Sequence, residues 1–90
     1  MKYHPVTTSK FAKDYTRIKK QGKNLGKLKV IVEILVSGQK LPPKFHDHQL
    51  IGDCAGCREC QVEPDWLLMY EVQEEEIIFL RTGTHSDLFE

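Results

Sequence analysis

His48, Asp65, Arg81 and His85 are the residues of this 90-residue chain whose types together could break a phosphodiester bond. Cleaving RNA without a metal needs one group to take the proton of a 2′-hydroxyl. A second must protonate the departing 5′ oxygen, and a cation must meet the charge growing on the phosphate. Histidine suits both proton transfers because its unperturbed pKa lies near neutrality. Arginine suits the third task because its planar fork matches phosphate oxygens. Trp66 and Phe89 stand close by in sequence, and aromatic rings can stack unpaired bases. Singly, each residue has a commoner explanation: a surface histidine, or an arginine paired with a glutamate. Taken together the set is suggestive of RNA chemistry and no more.

A second constellation is Cys54-x-x-Cys57-x-x-Cys60, which has the spacing that opens some zinc and iron–sulfur sites. A fourth ligand would have to come from a histidine such as His46, His48 or His85. Residues three apart on a strand also point to opposite faces, so Cys57 and Cys60 cannot converge on one ion if that segment is extended. Reduced, partly buried cysteines are a better expectation than a metal site.

These residues need elements to hold them. The run Val62-Glu63-Pro64-Asp65-Trp66-Leu67-Leu68-Met69-Tyr70 reads as a hairpin turning at Pro64-Asp65. Proline there removes a ladder donor, and aspartate can bond the backbone ahead of it. Strands are expected at Cys57–Glu63, Asp65–Val72 and Ile77–Thr82, with a short terminal turn ending at Leu88-Phe89. In the last strand, alternation puts Ile77, Phe79 and Arg81 on one face, so Phe79 and Arg81 are expected to floor a groove. Upstream, Tyr3–Thr7 can form a first strand, confined to an edge by Pro5. Thr8 or Ser9 offers a helix cap ahead of Phe11, Tyr15 and Ile18, an apolar stripe that Gly22 ends. Asn24 can cap a second helix with Leu25, Leu28, Ile31, Val32, Leu35 and Val36 on its apolar side, ended by Gly38. The short link between the helices folds them into a hairpin. The order strand, helix, helix, three strands predicts an α+β domain: a small antiparallel sheet with an N-terminal helical pair on one face.

Ninety residues allow one domain and one core. No signal peptide and no apolar run long enough to span a membrane is present, so a cytoplasmic protein is expected. Three cysteines, an odd number, fit reduced thiols better than a disulfide framework. Net charge is zero, yet Lys10, Lys13, Arg17, Lys19, Lys20, Lys23, Lys27 and Lys29 crowd one segment against a single acid, Asp14. Such a basic half suits a polyanion or an acidic partner, although a solvated helix face is the commoner meaning of a lysine run.

Three stretches carry a resemblance: Asp47-His48-x-Leu50, Val62-Glu63-Pro64-Asp65-Trp66-Leu67-Leu68-x-Tyr70, and Arg81-Thr82-Gly83-Thr84-His85-Ser86-x-Leu88-Phe89. With the helical starts Ser9-Lys10-Phe11-x-Lys13-Asp14 and Leu25-x-Lys27-Leu28, they make the chain similar to the YafQ family of the RelE superfamily of bacterial toxins. The resemblance implies a RelE-like fold and a ribosome-dependent endoribonuclease that cuts translated mRNA without metal or cofactor. It implies a cognate antitoxin as partner, and contact with operator DNA only through that antitoxin. By position, His48, Asp65 and His85 match the family's acid–base residues and Arg81 its phosphate-stabilising arginine, while Trp66 and Phe89 match positions at the edge of the RNA site. One position departs. Gln61 stands where the family usually has histidine, and glutamine can hydrogen-bond a phosphate or a 2′-hydroxyl but cannot exchange a proton near neutral pH. Three explanations compete: His48 and Asp65 serve as base without it, the toxin is naturally weakened, or the residue was selected or engineered so that cells survive expression. The alternative function is then a toxin-like module that mainly binds its antitoxin and takes part in operon control.

Overall fold

Thr8 stands between the first strand and the first helix, and its hydroxyl accepts a hydrogen bond from the Phe11 N–H at 3.0 Å. It is the N-cap expected of a threonine ahead of an apolar stripe. In the computed structural model, which describes residues 2–50 and 56–89, the elements are β1 (His4–Thr7), α1 (Ser9–Lys20), α2 (Leu25–Ser37), β2 (His48–Gln49), β3 (Cys57–Glu63), β4 (Trp66–Val72), β5 (Glu76–Gly83) and α3 (His85–Phe89). A single 3-10 turn, Pro43–Phe45, precedes β2. Asn24 caps α2 through its side chain, and Gly38 closes that helix in the left-handed conformation at φ 84°. A Cβ at Gly38 would stand 2.4 Å from Lys2 Cδ, so glycine is needed there twice over. Among the described residues no helix is long and apolar enough to cross a membrane.

One five-stranded sheet runs in the order β1-β5-β4-β3-β2. The α+β class and the helical pair agree with the sequence; the wholly antiparallel sheet does not. β1 lies parallel to β5, from His4 opposite Glu76 to Thr7 opposite Phe79. Nearly the whole chain separates these two strands, a connection long enough to return the last strand alongside the first in the same direction. A further short strand, β2, carries His48 at the opposite edge.

Phe11 and Ile18 of α1 and Leu28, Ile31, Leu35 and Val36 of α2 pack on Cys60, Val62, Trp66, Leu68, Tyr70, Ile77 and Phe79 of the sheet. The expected groove floor of Phe79 and Arg81 is corrected here. Tyr70 pairs with Phe79 and Met69 with Arg81, so Leu80 is an extra residue that shifts the strand's alternation. Phe79 consequently faces the core beside Phe11, at 5.9 Å between ring centroids, while Arg81 faces the other way. Beyond Phe79, β1 has ended and α1 takes over the open edge of β5. Asp14 accepts the Thr82 N–H at 3.2 Å, Arg17 donates to the Thr82 carbonyl at 3.2 Å, and the Thr8 hydroxyl donates to the Leu80 carbonyl at 2.9 Å. Unpaired strand groups are thereby satisfied by side chains in place of a neighbouring strand.

Candidate active site

The face of the sheet away from the helices carries a row of directly paired residues. His48 on β2 is opposite Glu59 on β3, Glu59 is opposite Met69 on β4, and Met69 is opposite Arg81 on β5. Three strand spacings separate its ends, about 14 Å between the backbones of His48 and Arg81. One step along, Gln61 pairs with Leu67 and Leu67 with Gly83. The floor between the two ends is therefore Met69 and the buried Leu67. Asp65 stands on the β3–β4 turn, and His85 and Phe89 project from α3, which follows β5 directly.

His85 and Asp65 are joined. The Asp65 carboxylate accepts from His85 Nδ1 at 2.8 Å and from the His85 backbone N–H at 3.3 Å. The ring bond first, and the backbone bond after it, hold the Asp65 carboxyl below the usual carboxylate range, so it is ionised at neutral pH. An ionised carboxylate can only accept, which places the Nδ1 hydrogen on His85 and leaves Nε2 facing away from Asp65. Phe89 is exposed, with its ring 6.2 Å from that of His85.

His48 is held by a different device with the same outcome. Its Nδ1 lies 2.7 Å from the His46 carbonyl, an acceptor, so Nδ1 is again the protonated nitrogen. His46 adopts a left-handed φ of 50° to present that carbonyl. The adjoining Asp47 carboxylate is gripped by the Arg58 guanidinium and the Tyr70 hydroxyl, which fastens the loop to β3 and β4. Glu59 Oε1 sits 3.6 Å from His48 Nε2, an ion pair only while the ring is protonated. Glu59 is buried and its Oε2 has no hydrogen-bond partner among the described residues, which is costly unless something fills that role. Glu59 is the site residue that motif reading passed over. Alternation along β3 would have found it, since it lies two residues before Gln61 on the same face.

At the other end of the row, Arg81 donates from Nε to Asp14 Oδ2 at 2.6 Å and from Nη2 to Asp14 Oδ1 at 3.1 Å. Its expected partner, a glutamate, is thus an aspartate of α1. Trp66 requires a correction: the ring is wholly buried and cannot stack on a base. Its indole N–H donates to the Thr82 hydroxyl at 2.9 Å, which in turn donates to the Leu67 carbonyl at 2.8 Å, so it bolts β4 to β5 beneath the site. The apolar face of an indole beside this turn is more stable inside the core than at a wet edge. Lys23 lies over this ring at 5.6 Å, and Lys27 reaches Glu63 at 2.8 Å, so the helical pair also braces the turn that bears Asp65.

Cys57 and Cys60 pair with Glu71 and Leu68 and lie on opposite faces of β3, as strand parity requires. The expectation of reduced thiols holds for Cys60, which is free, buried and pushed up to about 12 by that burial. It fails for Cys57, which is disulfide-bonded. Cys54 lies outside the described residues, and among those described no three His, Cys, Asp or Glu side chains cluster as metal ligands do.

Residues 3–90 match the family described as the bacterial toxin of type II toxin-antitoxin systems, YafQ. The chain is 37% identical over 83 residues to the mRNA interferase toxin YafQ of Escherichia coli K12, covering 91% of this chain and 90% of that one. It superimposes on the toxin fold in a crystal structure of the E. coli DinJ-YafQ toxin-antitoxin complex with a TM-score of 0.94, at 34% identity and with all of both chains covered. A metal-bound toxin from Helicobacter pylori is similar too, with a TM-score of 0.91 and 38% identity over 97% of this chain and 99% of that one. Fold and sequence agree: this chain belongs to the YafQ family of toxins of bacterial type II toxin–antitoxin systems.

Proposed function

We propose that the protein is a ribosome-dependent endoribonuclease that cuts translated mRNA in the cytoplasm by metal-independent acid–base chemistry. The observation that carries this reading is the pair of histidines whose Nδ1 hydrogens are both tied down, by Asp65 and by the His46 carbonyl. Each imidazole then offers only Nε2 to a substrate. His48 Nε2 takes the proton of the 2′-hydroxyl, and the oxygen attacks the adjacent phosphorus. The bond to the 5′ oxygen breaks, a 2′,3′-cyclic phosphate forms, and that oxygen receives a proton from His85 Nε2. Asp65 holds the imidazolium in place, acting as orienting partner while His85 carries the proton. Arg81 meets the charge on the phosphate, Gln61 hydrogen-bonds the phosphate or the 2′-hydroxyl, and Phe89 stacks on a base.

A cognate antitoxin neutralises the toxin, as the complex of the E. coli relative suggests, and contact with operator DNA runs through that antitoxin. With zero net charge the chain has little affinity for free RNA to offer, so the ribosome supplies most of the positioning. The test is a defined mRNA on purified ribosomes with the toxin added. New ends within translated codons, absent without ribosomes, are expected; intact mRNA would overturn the reading. Metal dependence is checked by treating the toxin with chelator and exchanging it into clean buffer before assay; activity should persist. Gln61 supports a second reading, a binding module without cleavage, for which normal growth on induction together with tight antitoxin binding would speak.

A further inference from the structure

Asp14 takes no part in the chemistry above, yet it is one of the most deeply buried ionisable groups in the protein, with 2% of its surface exposed. Its carboxylate accepts three hydrogen bonds, two from Arg81 and one from the Thr82 N–H, and forms an ion pair with Arg17 Nη1 at 2.9 Å. The pairing with Arg81 is side-on, through Nε and one hydrogen of Nη2. Both hydrogens of Nη1 and the second of Nη2 have no partner among the described residues, a two-pronged edge of the kind that fits a phosphate. Arg17 extends the chain of contacts. Its Nε lies 3.5 Å from Asp87 Oδ2, and Asp87 accepts the Thr84 N–H at 3.1 Å to close the first turn of α3. This bridge passes so close to Gly83 that a Cβ there would stand 2.7 Å from Arg17 Nη2. Arg81 and the helix bearing His85 and Phe89 are thus anchored to one carboxylate on α1.

We propose that Asp14 is a positioning residue of the cleavage site, locking the Arg81 guanidinium in the rotamer that meets the scissile phosphate. The inference rests on the endoribonuclease reading and deepens it. A flexible arginine must be ordered when the phosphate arrives, whereas one already held stabilises the developing charge without reorganisation. Asp14 also satisfies the edge of β5, so its loss could act through folding alone. The decisive readout is coupling to Arg81.

Single-turnover cleavage on saturating programmed ribosomes is measured for the wild-type chain, Asp14→Asn, Arg81→Ala and the double variant. Asp14→Asn is expected to slow cleavage by about 100-fold, the scale of a misplaced catalytic group, with half-saturation by ribosomes little changed. The double variant is expected to be no slower than Arg81→Ala by more than about twofold, because one group acts through the other. Full activity of Asp14→Asn, or losses that multiply in the double variant, would overturn the inference. A folding failure of Asp14→Asn is covered by the wild-type protein itself. Its Arg81 Nε–H should give a resolved NMR signal with slowed exchange, and exchange as fast as that of a free surface arginine would overturn the inference too. An inactive wild-type chain would refute the endoribonuclease reading on which it rests; an active one with an indifferent Asp14→Asn refutes this inference alone.

Discussion

Among single residues, His85 and Gln61 make the most direct tests because neither is buried. His85→Ala should reduce cleavage by about 10²–10⁴-fold, the usual worth of a general acid or base, while stability moves by no more than about 0.5 kcal/mol. Activity within a few-fold of wild type would remove His85 from the mechanism. Gln61→His restores a proton carrier to the site face, and faster cleavage with earlier growth arrest is expected; unchanged toxicity would count against the idea that Gln61 weakens this toxin. Trp66 predicts the opposite pattern. Trp66→Phe loses the bond to the Thr82 hydroxyl and leaves a small void, lowering stability by about 1–3 kcal/mol, but cleavage well below the melting temperature should persist. Lost cleavage with unchanged melting would show that the indole touches RNA after all. The histidines and Arg81 could be picked out of the sequence as candidates because their chemistry is scarce and their motif stretches are compact. A hairpin motif does not say which face its indole takes, so the burial of Trp66 is decided by the packing of the fold. Glu59 was missed because a glutamate in an alternating strand looks like an ordinary wet-face residue until register shows His48 beside it.

Among elements, α1 does two jobs, packing Phe11 and Ile18 into the core and serving as a substitute strand along the end of β5. Caps and stripes of both helices follow from local rules, so Thr8, Asn24 and Gly38 could be read in advance. The parallel pairing of β1 and the extra residue at Leu80 could not, because register between distant strands is decided by tertiary packing. One signal lay in view: Asp14 is the lone acid of a lysine-rich segment and sits three residues after Phe11 and four before Ile18, on the buried stripe. A carboxylate there implies a buried partner. Burial alone would raise its pKa, but the bonds from Arg81, Thr82 and Arg17 outweigh that and hold it below the normal value. A depressed folded pKa means stabilisation that is present above the unfolded value of about 3.9 and is lost as pH falls through the folded one. At neutral pH, Asp14→Asn should therefore be less stable than wild type by about 2–4 kcal/mol, and urea midpoints of the two should converge as pH drops below about 4. A gap that persists unchanged well below that pH would mean that the ionised form of Asp14 contributes nothing.

For the whole molecule, zero net charge conceals a division of labour. Lys10, Lys13, Lys19, Lys20, Lys27 and Lys29 are exposed on the helical pair, whereas Glu74 and Glu75 are exposed at the far turn between β4 and β5. Two of those lysines already face acids, Lys27 with Glu63 and Lys29 with Glu33. Along the candidate row each side chain that can carry positive charge has a carboxylate next to it: Glu59 beside His48, and Asp14, on α1, beside Arg81. A site so nearly neutral can recognise a phosphate by geometry, but it cannot pull RNA out of solution by charge. The helical lysines can, and they lie on the side of the sheet opposite that row. This separation implies that docking onto a large polyanion and cutting a single strand are performed by different faces. Binding to free single-stranded RNA should accordingly be weak and steep in salt, with a slope near about −3 in log K against log salt for four phosphate contacts. Charge-reversing Lys13, Lys19 and Lys20 together should weaken ribosome association at least tenfold, while the cleavage rate at saturating ribosomes changes by less than about threefold. A fall in that saturated rate, with association intact, would instead place these lysines at the scissile phosphate and dissolve the distinction between the two faces.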